Sequence, residues 1–275
     1  MTATVNRKGL KVPHFDQGVV TLVGAGPGDP ELLTIKAVKA INQATVLLVD
    51  DLVNDEILFH ASSEASIIHV GKRGGCQSTP QALIEKLMIR EARKGETVVR
   101  LKGGDPFIFG RGGEEIEHLR DAGITVKVIN GITSGLAAAG ALDISLTHRN
   151  LAQGVLFITG HNKPGSTCSD WTNIAQSAFH NKLTLVIYMG VASAESIMNG
   201  LLKGLSGETP AAIVQSASLP NQRQVGCTLG TLTKTLDENN FGSPAIMIVG
   251  DVVAGYLSMY QSASIFSDDR LVNCA

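Results

Sequence analysis

Two glycine-containing turns that end in Asp-Pro are the segments of this sequence best suited to chemistry. They run from Val23 to Pro30 and from Leu101 to Pro106, and each follows an apolar, strand-like run. A glycine turn at the carboxyl end of a strand lets the backbone itself approach a ligand. Two such turns are predicted to shape one cleft together, so the chain is a candidate enzyme for a small-molecule substrate.

The second turn continues into a glycine-rich segment that contains a single arginine, Arg111. Five glycines lie between residues 103 and 113, and ordering glycine costs more conformational entropy than ordering other residues. A ligand that contacts this backbone is one explanation for the segment. The other is a glycine-rich entry into a helix, with the Arg111 side chain in solvent.

The first turn is close to a dinucleotide-binding fingerprint, because Gly24 and Gly26 follow a strand and acidic Asp50 ends the next one. Two residues depart from that fingerprint. Asp29 occupies the place of the third glycine, and Pro27 has no N–H to donate to a pyrophosphate. A nicotinamide-dependent oxidoreductase stays open as an alternative, and so does a purely structural turn.

The composition is that of a globular protein without a strong overall charge. Hydrophobic residues make up 44% and charged residues 17% of the 275 residues, which is enough for a sizeable core. A net charge of -2 provides no basic field for nucleic acid or an anionic membrane, and no apolar run reaches the roughly 18 residues of a membrane span. The four cysteines form no C-x-x-C pair, so a cytoplasmic protein without a disulfide framework or zinc site is expected.

Apolar, β-branched runs alternate with helical patterns along the whole chain. The strand-like runs cover residues 19–23, 45–49, 67–70, 97–101, 124–129, 155–159, 183–188, 211–214 and 245–249. A helix is predicted from Pro30 with Asp29 as its cap, and others from Pro80 to Gly95 and from Ala194 to Leu202. The β-α-β order predicts an α/β fold with a largely parallel sheet covered on both faces.

This alternation predicts two α/β domains and two terminal extensions. The predicted divisions are a flexible extension over residues 1–18, a first domain over 19–147, a second domain over 148–254 and a tail over 255–275. The change of domain is placed between Thr147 and Gly154, where the first series of strands ends and the second begins.

In their order and spacing these motifs resemble the tetrapyrrole (class III) methyltransferase family. The resemblance extends from about Val19 to Val253, and its most specific part is the run from Leu101 to Glu115. The other matching segments lie at residues 23–30, 50–53, 70–73, 131–133, 146–149, 159–161, 188–190 and 244–246. Asn130 departs from the family pattern, which has proline before Gly-Ile-Thr, and the change is expected to loosen this loop.

The resemblance implies transfer of methyl groups from S-adenosylmethionine (SAM) to two ring carbons of uroporphyrinogen III. It also implies two α/β domains of the tetrapyrrole methylase type, an active site in the cleft between them, a homodimer and no metal. The donor contacts that it implies are Pro27, Gly103, Gly104, Asp105, Ile108, Thr133, Ser134, Met189 and Ala217. Methylation of another precorrin intermediate is an alternative, and ordinary core packing is an alternative role for Met189.

Methyl transfer to a ring carbon needs close positioning of the two reactants, and the alkylated macrocycle must then lose a proton. The resemblance implies that Asp50 accepts a proton and that Lys72 donates one. Asp50 suits the role of proton acceptor if burial makes its carboxylate easier to protonate. The alternative is a structural role, as a helix cap or as a member of an ion pair. Arg111, the third predicted catalytic residue, is a poor base because guanidinium stays protonated, so it is expected to clamp the substrate.

A multiply carboxylated macrocycle requires cations concentrated in the cleft of a slightly acidic protein. The predicted substrate-binding residues are Lys72, Arg73, Arg111, Glu114, His148 and Arg149. The planar fork of arginine suits paired carboxylates best. For each cation alone, a solvated surface position is the other interpretation.

Overall fold

Two five-stranded sheets with helices against their faces make up the part of the chain that the computed structural model describes, residues 18–71, 79–161 and 169–259. Most of the predicted N-terminal extension and most of the predicted tail lie outside these residues. No helix in the described ranges is long and apolar enough to cross a membrane.

The first sheet is entirely parallel, with strand order β3-β2-β4-β1-β5. Its strands are β1 (Val19–Gly24), β2 (Val46–Val49), β3 (Ser66–His69), β4 (Val98–Lys102) and β5 (Thr125–Ile129). The central strands β1, β2 and β4 are almost wholly buried, which explains their continuous apolar runs. The predicted parallel α/β sheet is therefore confirmed.

The second sheet is mixed, with strand order β6-β7-β10-β8-β9. Its strands are β6 (Gly154–Thr159), β7 (Leu183–Tyr188), β8 (Pro210–Gln215), β9 (Arg223–Thr228) and β10 (Ala245–Val249). Strands β6 and β7 run parallel, whereas β10 is antiparallel to both β7 and β8, and β8 and β9 form an antiparallel pair. The sequence pattern did not identify β9, because Arg, Gln, Gly and Thr dilute its apolar character.

Seven α-helices with defined bounds cover these sheets, and a further helical run occupies residues 254–259 at the end of the described chain. The seven are α1 (Ile35–Gln43), α2 (Gln81–Arg93), α3 (Gly112–Asp121), α4 (Ser134–Ala141), α5 (Trp171–Asn181), α6 (Ala194–Leu201) and α7 (Leu232–Glu238). The predictions for α2 and α6 are confirmed. Gly95, just beyond the end of α2, adopts a positive φ of 87°, as a residue that ends a helix commonly does.

The predicted start of the first helix is wrong. Asp29 does cap a turn, since its carboxylate accepts from the N–H of Glu31, but that turn is a 3-10 segment that ends at Leu32. Leu33 is extended, and α1 begins only after Thr34, whose hydroxyl accepts from the N–H of Ala37. Two capping residues lie five positions apart, and the second one begins the α-helix.

Helix α4 connects the two sheets. It follows β5 of the first sheet, yet Ala138 and Leu142 pack in a buried cluster with Val186 and Ile248 of the second sheet. The cluster also contains Tyr188, at the end of β7. The residues just before α4 are therefore held between the carboxyl ends of strands from both sheets.

Candidate active site

The carboxyl ends of β1, β4 and β5 meet at three glycines. A Cβ built on Gly24 would lie 2.5 Å from the Gly131 nitrogen and 2.7 Å from the Gly104 oxygen, and one on Gly131 would overlap the Gly104 oxygen. Gly26 and Gly104 also exchange backbone hydrogen bonds of 3.1 and 2.7 Å. The two turns identified in the sequence therefore form one contiguous surface of main chain.

Asp105 connects the turn after β4 to the turn after β5 through hydrogen bonds. Its Oδ1 accepts from the N–H of Phe107 at 2.8 Å, and its Oδ2 accepts from Gly131 N–H at 3.1 Å and from the Asn130 side-chain amide at 3.0 Å. The Asn130 amide thus adds a hydrogen bond that proline would lack, and this bond opposes the loosening expected from the loss of proline. Asp105 is 7% exposed and forms hydrogen bonds within the protein at both carboxylate oxygens.

The second sheet contributes the opposite side of this surface. The N–H of Asp29 donates to the Ser218 hydroxyl at 3.1 Å. Thr133 and the N–H of Gly135 are hydrogen-bonded to the hydroxyl of Tyr188. The turns of the first sheet thus contact the end of β7 and the segment after β8.

The predicted donor contacts are arranged around this junction. Gly103 lies against Leu52 and Gly104 lies against Thr133, while Ile108 packs on the cluster under α4. Ala217 and Thr133 are buried. Pro27, Ser134 and Gly104 are half-buried, and Met189 is 48% exposed.

Residues with positive φ other than glycine also concentrate at this junction. Five of them belong to the segments just described, namely Phe109, Arg111, Met189, Ser216 and Ser218, with φ between 53° and 68°. Such a conformation costs roughly 1 kcal/mol or more in a residue with a side chain. Met189 therefore departs from ordinary core packing in both its backbone conformation and its exposure.

A buried cluster of charges, which the sequence reasoning did not identify, lies at the ends of β2 and β4. Arg100 pairs with Asp50 Oδ2 at 3.2 Å and with Glu115 Oε1 at 3.2 Å. Lys102 lies 3.1 Å from Glu115 Oε2, and Gln81 donates to Glu115 Oε1 at 3.0 Å. Arg100, Lys102 and Glu115 are almost completely buried, whereas the Asp50 side chain is 36% exposed. Asp50 therefore forms an ion pair, which was the structural alternative for this residue, and its side chain is only partly buried.

The lysine of this cluster is electrostatically perturbed. Burial lowers the pKa of Lys102 below its usual range, and the neighbouring Arg100 charge lowers it further, although Glu115 and Asp50 oppose that effect. The sequence signal that could have identified this charge cluster is the presence of two basic residues in an apolar strand. Arg100 and Lys102 stand in the buried run Val98–Lys102, where charges are rare unless they are paired.

Arg111 and Glu114 form an exposed pair on the first turn of α3. The Arg111 Nη2 atom lies 2.5 Å from Glu114 Oε2, and both side chains are about half exposed. The hydrogen bond to Glu114 raises the pKa of Arg111 above its usual value. A permanently protonated guanidinium agrees with a clamp better than with a base.

The other predicted substrate contacts are not brought together in the same way. His148 and Arg149 are exposed in a loop where His148 Nδ1 accepts from the N–H of Asn150 and the Arg149 carbonyl accepts from Gln153. Within the described ranges neither side chain forms an ion pair. Lys72 and Arg73 lie outside the described residues.

A surface cavity of about 600 Å³ lies away from these turns, near Lys182, Thr184 and Asp251. Strand β7 begins at Leu183 and ends at Tyr188, so this cavity and the glycine junction occupy opposite ends of the second sheet. The glycine junction is the better candidate because it combines strand ends, bare main chain and backbone strain. Over the described residues, no group of three His, Cys, Asp or Glu side chains is arranged to hold a metal ion.

A parallel sheet whose glycine turns meet a second, mixed sheet defines an α/β protein that presents bare main chain at its strand ends, where such folds bind ligands. The chain belongs to the tetrapyrrole (corrin/porphyrin) methylases, whose family model matches residues 19–233. The family named from the sequence motifs is therefore confirmed.

Individual relatives make the similarity more specific. The chain is 50% identical over 248 residues to the uroporphyrinogen-III C-methyltransferase of Pseudomonas aeruginosa, covering 90% of this chain and 99% of that protein. It is 46% identical to the enzyme of the same name from Bacillus subtilis, over 86% of this chain and 91% of that protein. The solved uroporphyrin-III C-methyl transferase of Thermus thermophilus complexed with S-adenyl homocysteine is 40% identical, with a TM-score of 0.72, covering 86% of this chain and 99% of that one.

Proposed function

We propose that this protein transfers methyl groups from SAM to C2 and C7 of uroporphyrinogen III, giving precorrin-2 and S-adenosylhomocysteine (SAH). The observation that carries the proposal is the convergence of three strand-end glycines with the Tyr188–Met189 turn of the second sheet. Membership of the methylase family and 50% identity with a named uroporphyrinogen-III C-methyltransferase support this donor and this acceptor.

The donor fits the glycine junction on steric grounds. Gly103 and Gly104 present backbone without side chains: a Cβ on Gly103 would lie 2.9 Å from the Leu52 Cβ, and Gly104 has a positive φ of 66°. Exposed Met189 offers an adaptable, polarisable contact beside them. The sulfonium of the donor supplies an electrophilic methyl carbon, and the chain's own contribution is to hold that carbon near the acceptor.

The acceptor is proposed to lie over the exposed side of the same turns. Leu52, Phe107 and Phe109 are large apolar side chains that are 64%, 51% and 39% exposed, and they follow β2 and β4 directly. An apolar patch of this kind suits the face of a macrocycle. Arg111 follows Phe109 by two residues and is about half exposed, and a substrate carboxylate would compete with Glu114 for its guanidinium fork.

Asp50 is proposed to take the proton that the methylated macrocycle loses. Arg100 holds Asp50 Oδ2 at 3.2 Å, and Oδ1 accepts from the N–H of Asp51 at 3.2 Å. The carboxylate is therefore oriented by the protein while more than a third of its side chain surface faces outward. We also propose that Lys72 donates a proton and that Arg73, His148 and Arg149 bind substrate carboxylates.

The remaining expectations belong to the same proposal. We propose the two-domain division at residue 147 with the active site in the cleft between the domains, and the two sheets and the contacts that join them support it. We propose that the enzyme works as a homodimer in the cytoplasm. Light scattering on the purified chain tests the dimer, and a monomer at micromolar concentration would contradict it.

An anaerobic assay with methyl-labelled SAM and uroporphyrinogen III tests the activity. Mass spectrometry is expected to find two labelled methyl groups on the tetrapyrrole and an equivalent amount of SAH. Faster labelling of another precorrin would contradict the assignment of uroporphyrinogen III as the acceptor but would leave SAM as the donor. Absence of label in every tetrapyrrole would overturn the methyltransferase assignment.

A thermal-shift comparison separates the donor from the nicotinamide alternative. A ligand that binds only the native state raises the free energy of unfolding by RT ln(1 + [L]/Kd). SAH is expected to raise the melting temperature and NAD is expected to leave it unchanged. The reverse result would support an oxidoreductase.

A further inference from the structure

The N-terminus of α4 is capped from a distant part of the chain. Thr133 occupies the N-cap position with extended backbone, but in the described structure its side chain accepts no hydrogen bond from its own helix. Its hydroxyl instead lies 2.8 Å from the hydroxyl of Tyr188, and the N–H of Gly135 donates to that same oxygen at 2.9 Å. Tyr188 thus does for α4 what an N-cap side chain ordinarily does for its own helix.

Close packing holds Tyr188 in this place. A Cβ on Gly135 would overlap the tyrosine hydroxyl and would lie 2.7 Å from Val186 Cγ1, so a glycine is required for the approach. The Tyr188 ring lies 4.9 Å from the Phe109 ring and 5.9 Å from the Phe157 ring, centroid to centroid. The residue is 6% exposed.

The hydroxyl has the correct protonation state for this role. Burial raises the pKa of Tyr188 above its usual range, although hydrogen bonds from Thr133, Gly135 and Ser134 moderate the rise. A neutral phenol has one proton to donate and two lone pairs that accept. It can therefore accept from the Gly135 N–H and still share a hydrogen bond with Thr133.

We propose that Tyr188 is a positioning residue for the methyl donor, acting through both sides of the site. On one side it fixes Thr133 and Ser134, which lie against Gly104. On the other side it precedes Met189, which has a positive φ of 53° and is 48% exposed. This inference rests on the proposed function, and it concerns the donor rather than the tetrapyrrole.

The test compares Tyr188→Phe with a matched variant, Tyr256→Phe. Tyr256 is an equally buried tyrosine of the same hydrophobic cluster, and it lies outside the site. Tyr188→Phe keeps the ring and removes the hydroxyl. It is expected to raise the Kd for SAH and the KM for SAM about tenfold, the effect of losing one well-placed hydrogen bond, while the KM for uroporphyrinogen III changes less than about twofold. Tyr256→Phe is expected to leave all three constants unchanged.

Three results would contradict the proposal. An unchanged Kd for SAH in Tyr188→Phe would overturn it, even if the melting temperature fell. Equal weakening of SAH binding in both tyrosine variants would reduce Tyr188 to a general packing role and would also overturn it. If the wild-type protein failed to bind SAH, both the proposed function and this inference would fail. The other two results would contradict only the role of Tyr188.

Discussion

Arg111 is the residue at which the proposed roles in donor and acceptor binding can be separated most clearly. Its guanidinium is paired with Glu114, both side chains are about half exposed, and the nearest atoms to a Cβ on Gly104 belong to Ile132, Thr133 and Ser134 instead. Lysine keeps the charge but loses the two-pronged fork that matches a carboxylate. We therefore expect Arg111→Lys to raise the KM for uroporphyrinogen III about tenfold and to leave the Kd for SAH within about twofold, as measured by steady-state kinetics and calorimetry.

Arg120→Lys is the matched control for that prediction, because Arg120 is an exposed arginine on the same helix, α3. It is expected to change neither constant. Equal losses of substrate and SAH affinity in Arg111→Lys would remove the division of roles that assigns Arg111 to the acceptor.

Asp50 is the second residue whose role can be isolated. Asp50→Asn retains the shape of the side chain and its place beside Arg100, but a neutral amide is no longer a useful base. The expected result is a single-turnover rate lower by about 100-fold, with SAH binding preserved.

Asp51→Asn controls for the loss of a carboxylate at the same strand end, since Asp51 is the exposed neighbour of Asp50. Its single-turnover rate is expected to match that of the wild-type protein. A wild-type rate in Asp50→Asn would exclude this carboxylate from the chemistry.

The sequence motifs identified most of the residues at the glycine junction, because glycine turns at strand ends are visible as a local pattern. They did not identify Tyr188, Arg100 or Glu115 as parts of the site. The bonds of Tyr188 to Thr133 and Gly135 span 55 and 53 residues, and no local pattern encodes such a pairing. The charges of β4 were visible, but their common partner Glu115 depends on how α3 packs behind the strand.

At the scale of elements, the three strand ends meet only because their facing residues are glycines. We expect Gly131→Ala to destabilise the protein by about 2 kcal/mol, because its Cβ would overlap the backbone of Gly104. The same change at Gly140, within α4, meets no atom within 4 Å and is expected to stabilise by about 0.5 to 1 kcal/mol.

Urea denaturation and SAH titration of both glycine variants test this packing. Gly131→Ala is also expected to weaken SAH binding, whereas Gly140→Ala is expected to leave it intact. Equal stabilities of the two variants would contradict the close approach of the β1, β4 and β5 ends.

Strand β9 carries a pH-dependent contribution to stability through Cys227. Burial raises the pKa of this thiol from 9.0 to about 11, against a smaller opposing effect of Thr235. Above pH 9 the unfolded chain therefore releases a proton that the folded protein retains, so stability falls as pH rises toward about 11.

Cys227→Ala lacks that titration and serves as the comparison. Between pH 8 and pH 10 the wild-type protein is expected to lose about 1.3 kcal/mol more of its unfolding free energy than this variant. Denaturant curves at the two pH values measure the difference. Parallel losses in both proteins would show that the thiol ionises in the folded state as freely as in the unfolded chain.

Element prediction worked where one signal stood alone and failed where two competed. Helix α2 begins at a single Pro signal and was placed correctly, whereas Asp29 and Thr34 both cap, and only Thr34 begins α1. The mixed order of the second sheet was not predicted. Apolar runs show that strands exist, but strand direction depends on connections such as the short segment of residues 216–222, which leads to the antiparallel β9.

At the scale of the whole molecule, the proposed donor site is built from both sheets together. The first sheet supplies the glycine turns, the second supplies Tyr188 and Met189, and α4 crosses between them. The net charge of -2 gives no long-range attraction for an anionic substrate. We therefore expect recognition of the proposed tetrapyrrole substrate to depend on local cations such as Arg111.

A crystal structure of the protein with SAH tests the central claim most directly. The nucleoside is predicted to lie on the main chain of residues 103–108, with Thr133 and Ser134 on one side and Met189 on the other. A molecule of SAH bound elsewhere, for example in the cavity beside Lys182 and Asp251, would contradict the assignment of the glycine junction as the donor site.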